Sequence, residues 1–211
     1  MTARSSEFMF GLPWVMGFFH QDWTRDHPTE TAAVADQFVE ELDPESVLLV
    51  RHDATRLLDG LSPDRITTIW EGCAENGAYF FGRGRVADGA QWMRQVIALC
   101  DAWLSQQPSV PALSAADLYE GQELADRVRD AVREFEPALG PQTADALAEC
   151  IRSCSPDLAF RLLLRALSSA AQSPDHTTLS HGQYVQLSDL GTAFNYGEYV
   201  VSDLQYLVDA T

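Results

Sequence analysis

The stretch QWMRQVIALCDAW, residues 91–103, is the clearest indication of the fold. Trp92, Val96, Leu99 and Trp103 recur at steps of four, three and four residues. That spacing places side chains on one face of an α-helix, whereas a half-buried strand would alternate apolar and polar residues. The stretch therefore predicts an amphipathic helix that turns two tryptophans toward a core.

Helical spacing continues on both sides of this stretch. The other apolar sets are Val34–Phe38–Leu42, Val47–Val50–Ala54–Leu57, Leu124–Val128–Ala131–Phe135, Tyr184–Leu187–Leu190–Phe194 and Val200–Leu204–Leu207. DLAFRLLLRAL, residues 157–167, is apolar nearly all round and is predicted to be the most buried helix. Only AYFF (78–81) and YGEYVV (196–201) could be extended. We predict an all-α fold with roughly eight or nine helices.

Several of these helices have a recognisable start. DPES at 43, SPDR at 62, SPDL at 155 and, more weakly, SPDH at 173 each offer an N-cap residue followed by proline at the first helical position. The best linker is LSQQPSVPALS, residues 104–114, which has two prolines between strong helices. We predict a compact multi-helix domain over residues 1–108. Residues 109–211 would form a helical C-terminal extension, packed on the first domain or folded as a second small one.

Composition narrows the class of partner. The 211-residue chain has a net charge of −17 and contains no lysine, so all its basic side chains are arginines. Acidic residues outnumber arginines in both halves. Such a chain repels phosphate backbones, so we expect no nucleic-acid partner, and a basic protein is favoured. Acidity that serves only solubility is an equally simple interpretation.

The expected compartment is the cytoplasm. Residues 1–12 contain no sustained apolar run, and no segment approaches the length of a membrane span. The four cysteines lie in or beside apolar helical segments and form no C-x-x-C pair, so we expect reduced, buried thiols.

The segment FFHQDW, residues 18–23, combines aromatic side chains with His20, Gln21 and Asp22. His20 and Asp22 would point to the same side of an extended segment and could share a metal ion. A metal site needs further ligands, however, and no H-E-x-x-H pattern is present. We expect instead that the aromatic residues anchor the chain and that no metal binds.

Enzymatic motifs are missing from the sequence. The glycines of FGRGRVADG, residues 81–89, do not complete a G-x-G-x-x-G pattern, because Ala87 stands at the third position. Neither a P-loop nor a G-x-S-x-G elbow occurs. We expect a protein that is not an enzyme and uses no cofactor.

The densest acidic run is the candidate partner-binding site. We call it the acidic segment, residues 36–45, and its acids are Asp36, Glu40, Glu41, Asp43 and Glu45. If a helix continues through residues 34–42, Asp36 and Glu40 share its solvent face opposite Val34, Phe38 and Leu42. A face that is merely solvated is the simpler alternative.

The order of segments over roughly residues 10–104 resembles the immunity proteins of bacterial contact-dependent growth inhibition systems, the CdiI type. The resemblance lies in FFHQDW (18–23), VADQFVEEL (34–42), TRLLDGLSPDRI (55–66) and GAYFFGRGRVADGAQWMRQVIAL (77–99). The matching motif positions are Phe19, His20, Gln21, Asp22, Trp23 and Trp92.

The resemblance implies a non-catalytic protein that binds a toxin domain, commonly a basic nuclease, and blocks its active site. Two alternatives stay open on the residues alone. One is a helical scaffold or regulatory protein-binding module unrelated to toxins. The other is a metal-dependent enzyme built around His20, Asp22 and distant ligands.

Overall fold

The structure is a computed structural model that describes residues 4, 6–19, 22–75, 80–81, 85–172 and 178–208. Its α-helices, in chain order, are α1 (Leu12–Met16), α2 (Trp23–Asp26), α3 (Glu30–Ala35), α4 (Pro44–Gly60), α5 (Pro63–Cys73), α6 (Gly89–Leu104), α7 (Ala125–Leu139), α8 (Pro141–Ser153), α9 (Pro156–Ala170), α10 (His181–Ala193) and α11 (Glu198–Ser202). Short 3-10 turns cover Gln122–Leu124 and Gln205–Leu207.

The all-α prediction is confirmed. Within the described ranges, β-pairing is limited to one isolated parallel bridge between Leu179 and Val208. The segment YGEYVV does not form a strand, since most of it belongs to α11. The eleven described helices exceed the expected number partly because α1 and α2, with five and four residues, are too short to show a periodic apolar stripe.

Side-chain caps explain where the long helices begin. The side chains of Asp43, Ser62 and Ser155 accept hydrogen bonds from the first backbone N–H groups of α4, α5 and α9. A proline follows each cap, where its missing N–H costs nothing. The SPDH start lies outside the described residues.

The chain divides into two compact units, one of Phe10–Leu113 and one of Ser114–Thr211 together with Met1–Met9. In the first unit, α4 packs against α6, and α5 contacts the first residue of α6. Gly89 permits the second contact, because a Cβ there would lie 2.5 Å from the backbone nitrogen of Thr67. Trp92, Met93, Val96, Cys100 and Leu104 form the buried face of α6. Two residues of the predicted stripe, Leu99 and Trp103, are only half-buried at its margin.

The second unit is built around α9. Helices α7, α8 and α9 pack on one another, while α10 and α11 pack mainly together. Nearly every residue from Pro156 to Leu167 is buried, which confirms that this is the most buried helix. The division between units falls after Leu113, and the described residues before Phe10 group with the second unit.

The helix expected over residues 34–42 is wrong in its extent. Helix α3 ends at Ala35, and residues 36–42 form turns, bends and irregular backbone. Asp36 and Glu40 therefore do not share a helix face. Val34 and Phe38 are nevertheless both buried, and Leu42 is half-buried, so two of the three predicted positions belong to the core although the backbone between them leaves the helix.

Candidate functional site

The residues of the FFHQDW motif that the structure describes belong mainly to an aromatic cluster in the first unit. Phe19 is buried at its centre, with ring centroids 5.3 Å from Trp23, 5.4 Å from Trp70 and 5.8 Å from Trp92. These pairs meet edge to face, the geometry that aromatic quadrupoles favour. The contacts of Phe19 with Trp23, Trp70 and Trp92 thus hold α2, α5 and α6 together.

The polar part of the motif contributes less. Asp22 precedes α2, and one of its carboxylate oxygens lies 3.5 Å from Nη1 of Arg25. His20 and Gln21 lie outside the described residues. In the part of the chain that is described, no three His, Cys, Asp or Glu side chains come together in a way that could hold a metal ion.

The acidic segment lies on the surface. Asp36, Glu40, Glu41 and Asp43 are exposed, and Glu45 is half-buried in the first turn of α4. Since α3 has already ended, the turns of residues 36–42 carry these carboxylates as a short connection between two helices.

Phe38 fixes the position of this connection. It is only 7% exposed, and its ring centroid lies 6.3 Å from those of both Trp14 and Trp103. The next residue, Val39, is 50% exposed. An apolar side chain thus stands in solvent directly before Glu40 and Glu41, on a backbone that a buried ring holds in place.

The carboxylates of the segment differ in their local partners. One oxygen of Asp36 lies 3.3 Å from Nδ1 of His27, and Asp43 caps α4 by accepting from the N–H of Glu45 at 3.1 Å. Glu40 and Glu41 make no ion pair with any described residue. Their charges are therefore the ones most directly available to a partner.

A second polar centre, which sequence reasoning missed, lies buried in the second unit. One oxygen of Asp157 accepts from Nη2 of Arg4 at 2.6 Å, and the other accepts from Nη2 of Arg161 at 2.8 Å. The hydroxyl of Tyr196 donates to Asp157 at 2.9 Å, and Nε of Arg4 donates to the carbonyl of Phe194 at 3.1 Å. We call Arg4, Asp157, Arg161 and Tyr196 the buried ion network.

The pKa of Tyr196 is raised well above its usual value, because burial and the adjacent Asp157 carboxylate both disfavour the phenolate. The raised pKa favours the neutral hydroxyl, which donates to Asp157. Nothing in the sequence indicated this network, because Arg4 and Asp157 are 153 positions apart and Asp157 reads as an ordinary first-turn acid. Its enclosure and its hydrogen bonds favour a role in stability.

Comparison with known proteins identifies no relative of the chain. No protein-family model matches the chain, and no curated protein or solved structure matches it significantly. None of the described helices combines the length and the apolar composition needed to cross a membrane.

Proposed function

We propose that this protein is a non-catalytic, acidic, immunity-like protein that binds a basic toxin domain, such as a nuclease, and neutralises it. The observation that carries the proposal is the surface formed by Val39, Glu40 and Glu41. It presents an exposed apolar side chain beside carboxylates that no described residue neutralises. Protein interfaces commonly combine an apolar centre with a polar rim.

The electrostatics suit fast capture of a basic partner. With a net charge of −17, the chain attracts positive proteins over distances comparable to the Debye length. Such steering acts mainly on the association rate, and local contacts then determine how long the complex lasts. Occupying the active-site cleft of the toxin is sufficient for neutralisation, so the protein needs no chemistry of its own.

The backbone of the site is suited to rigid docking. Phe38 packs between Trp14 and Trp103, and Asp43 caps α4, so the segment is tied down at both ends. A surface fixed before binding loses less conformational freedom in the complex. This distinguishes residues 38–43 from a solvated acidic tail.

Affinity capture from the producing cells tests the proposal. The wild-type protein is used as bait at low salt, beside two variants with the same change in net charge. One is Glu40→Lys/Glu41→Lys, and the other is Glu134→Lys/Glu136→Lys, which alters exposed residues of α7 in the second unit. We expect a basic protein to be retained by the wild type and the α7 variant, and lost from the Glu40/Glu41 variant.

The captured protein is then expressed alone and together with the bait. Growth arrest by the partner alone, relieved by the wild type and not by Glu40→Lys/Glu41→Lys, is the expected result. A partner without toxicity would contradict the immunity role and favour a scaffold or regulatory module. The product of a neighbouring gene with a toxic C-terminal domain would be the first candidate partner.

A further inference from the structure

The second unit contains a cavity of about 150 Å³ where α10 meets α11. The lining residues that matter here are Tyr184, Ser188, Thr192, Tyr196, Glu198 and Ser202. No sequence pattern indicates this cavity, because its walls come from two helices joined by an irregular turn.

The cavity is preformed. Gly191 of α10 lets α11 approach closely, since a Cβ at that position would lie 2.6 Å from Cγ2 of Val201. The N–H of Tyr196 donates to the carbonyl of Gly191 at 3.0 Å, which closes the turn. The hydroxyl of Tyr196 is held by Asp157, so one wall is fixed by the buried ion network.

The groups that line the cavity favour a cation. Glu198 supplies a carboxylate, the serine and threonine hydroxyls can accept hydrogen bonds, and an aromatic ring such as that of Tyr184 attracts cations through its face. The sequence around it adds to this field, because no arginine or lysine follows Arg165. The ring of Tyr196 is already occupied, because the guanidinium of Arg4 lies over it at 5.2 Å and the rings of Phe160 and Phe194 stack against it. Among the aromatic residues that line the cavity, Tyr184 is therefore the one to consider for a bound cation.

Two exposed aromatic side chains, Phe8 and Tyr199, meet at the start of α11. Phe8 is 58% exposed and Tyr199, the residue after Glu198, is 39% exposed. Their rings stack with centroids 4.9 Å apart and planes 14° apart. The N–H of Tyr199 donates to the carbonyl of Glu7 at 3.0 Å, so the backbone holds this pair in place. Exposed, ordered aromatic rings are typical of protein interfaces.

We propose that this cavity is an anchor site for an arginine side chain of a basic protein, with the Phe8–Tyr199 pair packing beside it. A volume of about 150 Å³ accommodates a benzene-sized group, and a guanidinium with its adjoining methylene is no larger. Arginine fits better than lysine, because a planar guanidinium can stack on Tyr184 while it donates to the carboxylate of Glu198 and to hydroxyls. The inference rests on the proposed function only in taking the same class of partner.

The test uses the full-length protein and needs no natural partner. N-acetyl-arginine methylamide is titrated at low salt, and binding is followed by NMR of the tyrosine rings and threonine methyl groups. The matched neutral probe is the corresponding citrulline compound, which has nearly the same shape without the charge. We expect saturable shifts at Tyr184, Tyr196 and Thr192 with the arginine probe and none with the citrulline probe.

Two variants locate the binding charge. Glu198→Gln keeps the side-chain size and is expected to weaken binding about tenfold or more, since charge-assisted hydrogen bonds are the strong ones. Asp189→Asn, an exposed change on α10 that does not line the cavity, is expected to leave binding unchanged. Unaltered positions of the other methyl signals would show that both variants are folded.

Three results would overturn the inference. They are equal shifts with both probes, shifts that map outside the cavity, and undiminished binding by the folded Glu198→Gln variant. None of them would affect the proposal for Glu40 and Glu41, which depends on capture of a partner through the first unit. Conversely, arginine binding in this cavity would stand even if the captured partner were not a toxin.

Discussion

At the scale of single residues, Trp23 contributes to stability through packing. It is 6% exposed, and its ring lies against Phe19 and Phe80. We expect Trp23→Ala to lower the free energy of unfolding by about 3–5 kcal/mol, since the cavity adds to the lost transfer energy. Chemical denaturation measures this directly. Val110→Ala, an exposed linker change, should stay within about 0.5 kcal/mol of wild type, and a similarly small effect of Trp23→Ala would disprove the packing role.

The burial of Cys100 makes the stability of the protein depend on pH. Burial, with a smaller contribution from Asp101, raises the pKa of its thiol from 9.0 to about 12. The unfolded state releases this proton at lower pH, so the stability that the buried thiol contributes is complete below pH 9 and is lost as pH rises toward 12. That loss should be about 1.4 kcal/mol per pH unit.

Two variants that shorten a buried side chain of α6 separate the effect of the Cys100 pKa from the effect of lost packing. Cys100→Ala should reduce the steepness of alkaline destabilisation by one proton, whereas Val96→Ala, equally buried, should retain it. Denaturant titrations between pH 8 and pH 11 would be compared. Identical pH dependence in all three proteins would contradict the assigned pKa. All four cysteines are buried and none forms a disulfide, in agreement with the prediction from the sequence.

Individual residues also show which features can be predicted from the sequence. Asp43, Ser62 and Ser155 were identified as caps, because a cap depends only on side chains within a few positions. Arg4 was not assigned any role, because its partners lie far along the chain. Local chemistry is readable from the sequence, and long-range ion pairing requires the fold.

At the scale of elements, the buried ion network joins the N-terminal segment to α9 and to the turn after α10. Asp157 accepts from Arg4, Arg161 and Tyr196, so removing its charge leaves two buried guanidinium groups with one carboxylate fewer. We expect Asp157→Asn to lower the free energy of unfolding by about 3–5 kcal/mol, because breaking a buried pair leaves an uncompensated charge.

The matched control is Asp145→Asn, an exposed acid on the neighbouring α8. It should change stability by less than about 0.5 kcal/mol. If the two variants unfold at the same denaturant concentration, the network does not hold these elements together. Hydrogen exchange in residues 6–9 provides a second measurement, and it should rise in Asp157→Asn alone.

Helix α3 shows how an element can be misread. Val34 and Phe38 are four apart and both buried, which is the helical signature, yet the backbone leaves the helix at Ala35. Phe38 reaches its site between Trp14 and Trp103 through the turns instead. Apolar spacing reports which side chains are buried, and over a few residues it does not fix the backbone between them.

At the scale of the whole molecule, the all-α class followed from apolar periodicity repeated along most of the chain. The position of the acidic segment could be predicted from its run of acidic residues. Its backbone conformation could not. The exposure of Val39 and the absence of described ion-pair partners for Glu40 and Glu41 depend on the turns after α3. The α10–α11 cavity depends on the close packing at Gly191, which leaves no sequence pattern.

The central claim is that Glu40 and Glu41 form the docking surface for a basic toxin. Its most direct test is the association rate constant with the captured partner, measured by stopped flow over a range of salt concentrations. The wild type, Glu40→Lys/Glu41→Lys and Glu134→Lys/Glu136→Lys are compared. We expect the Glu40/Glu41 variant to associate about tenfold or more slowly at low salt, with a weaker salt dependence, and the α7 variant to stay close to wild type. Equal rates for the two variants at low salt would contradict the claim, because only the position of the reversed charges differs between them.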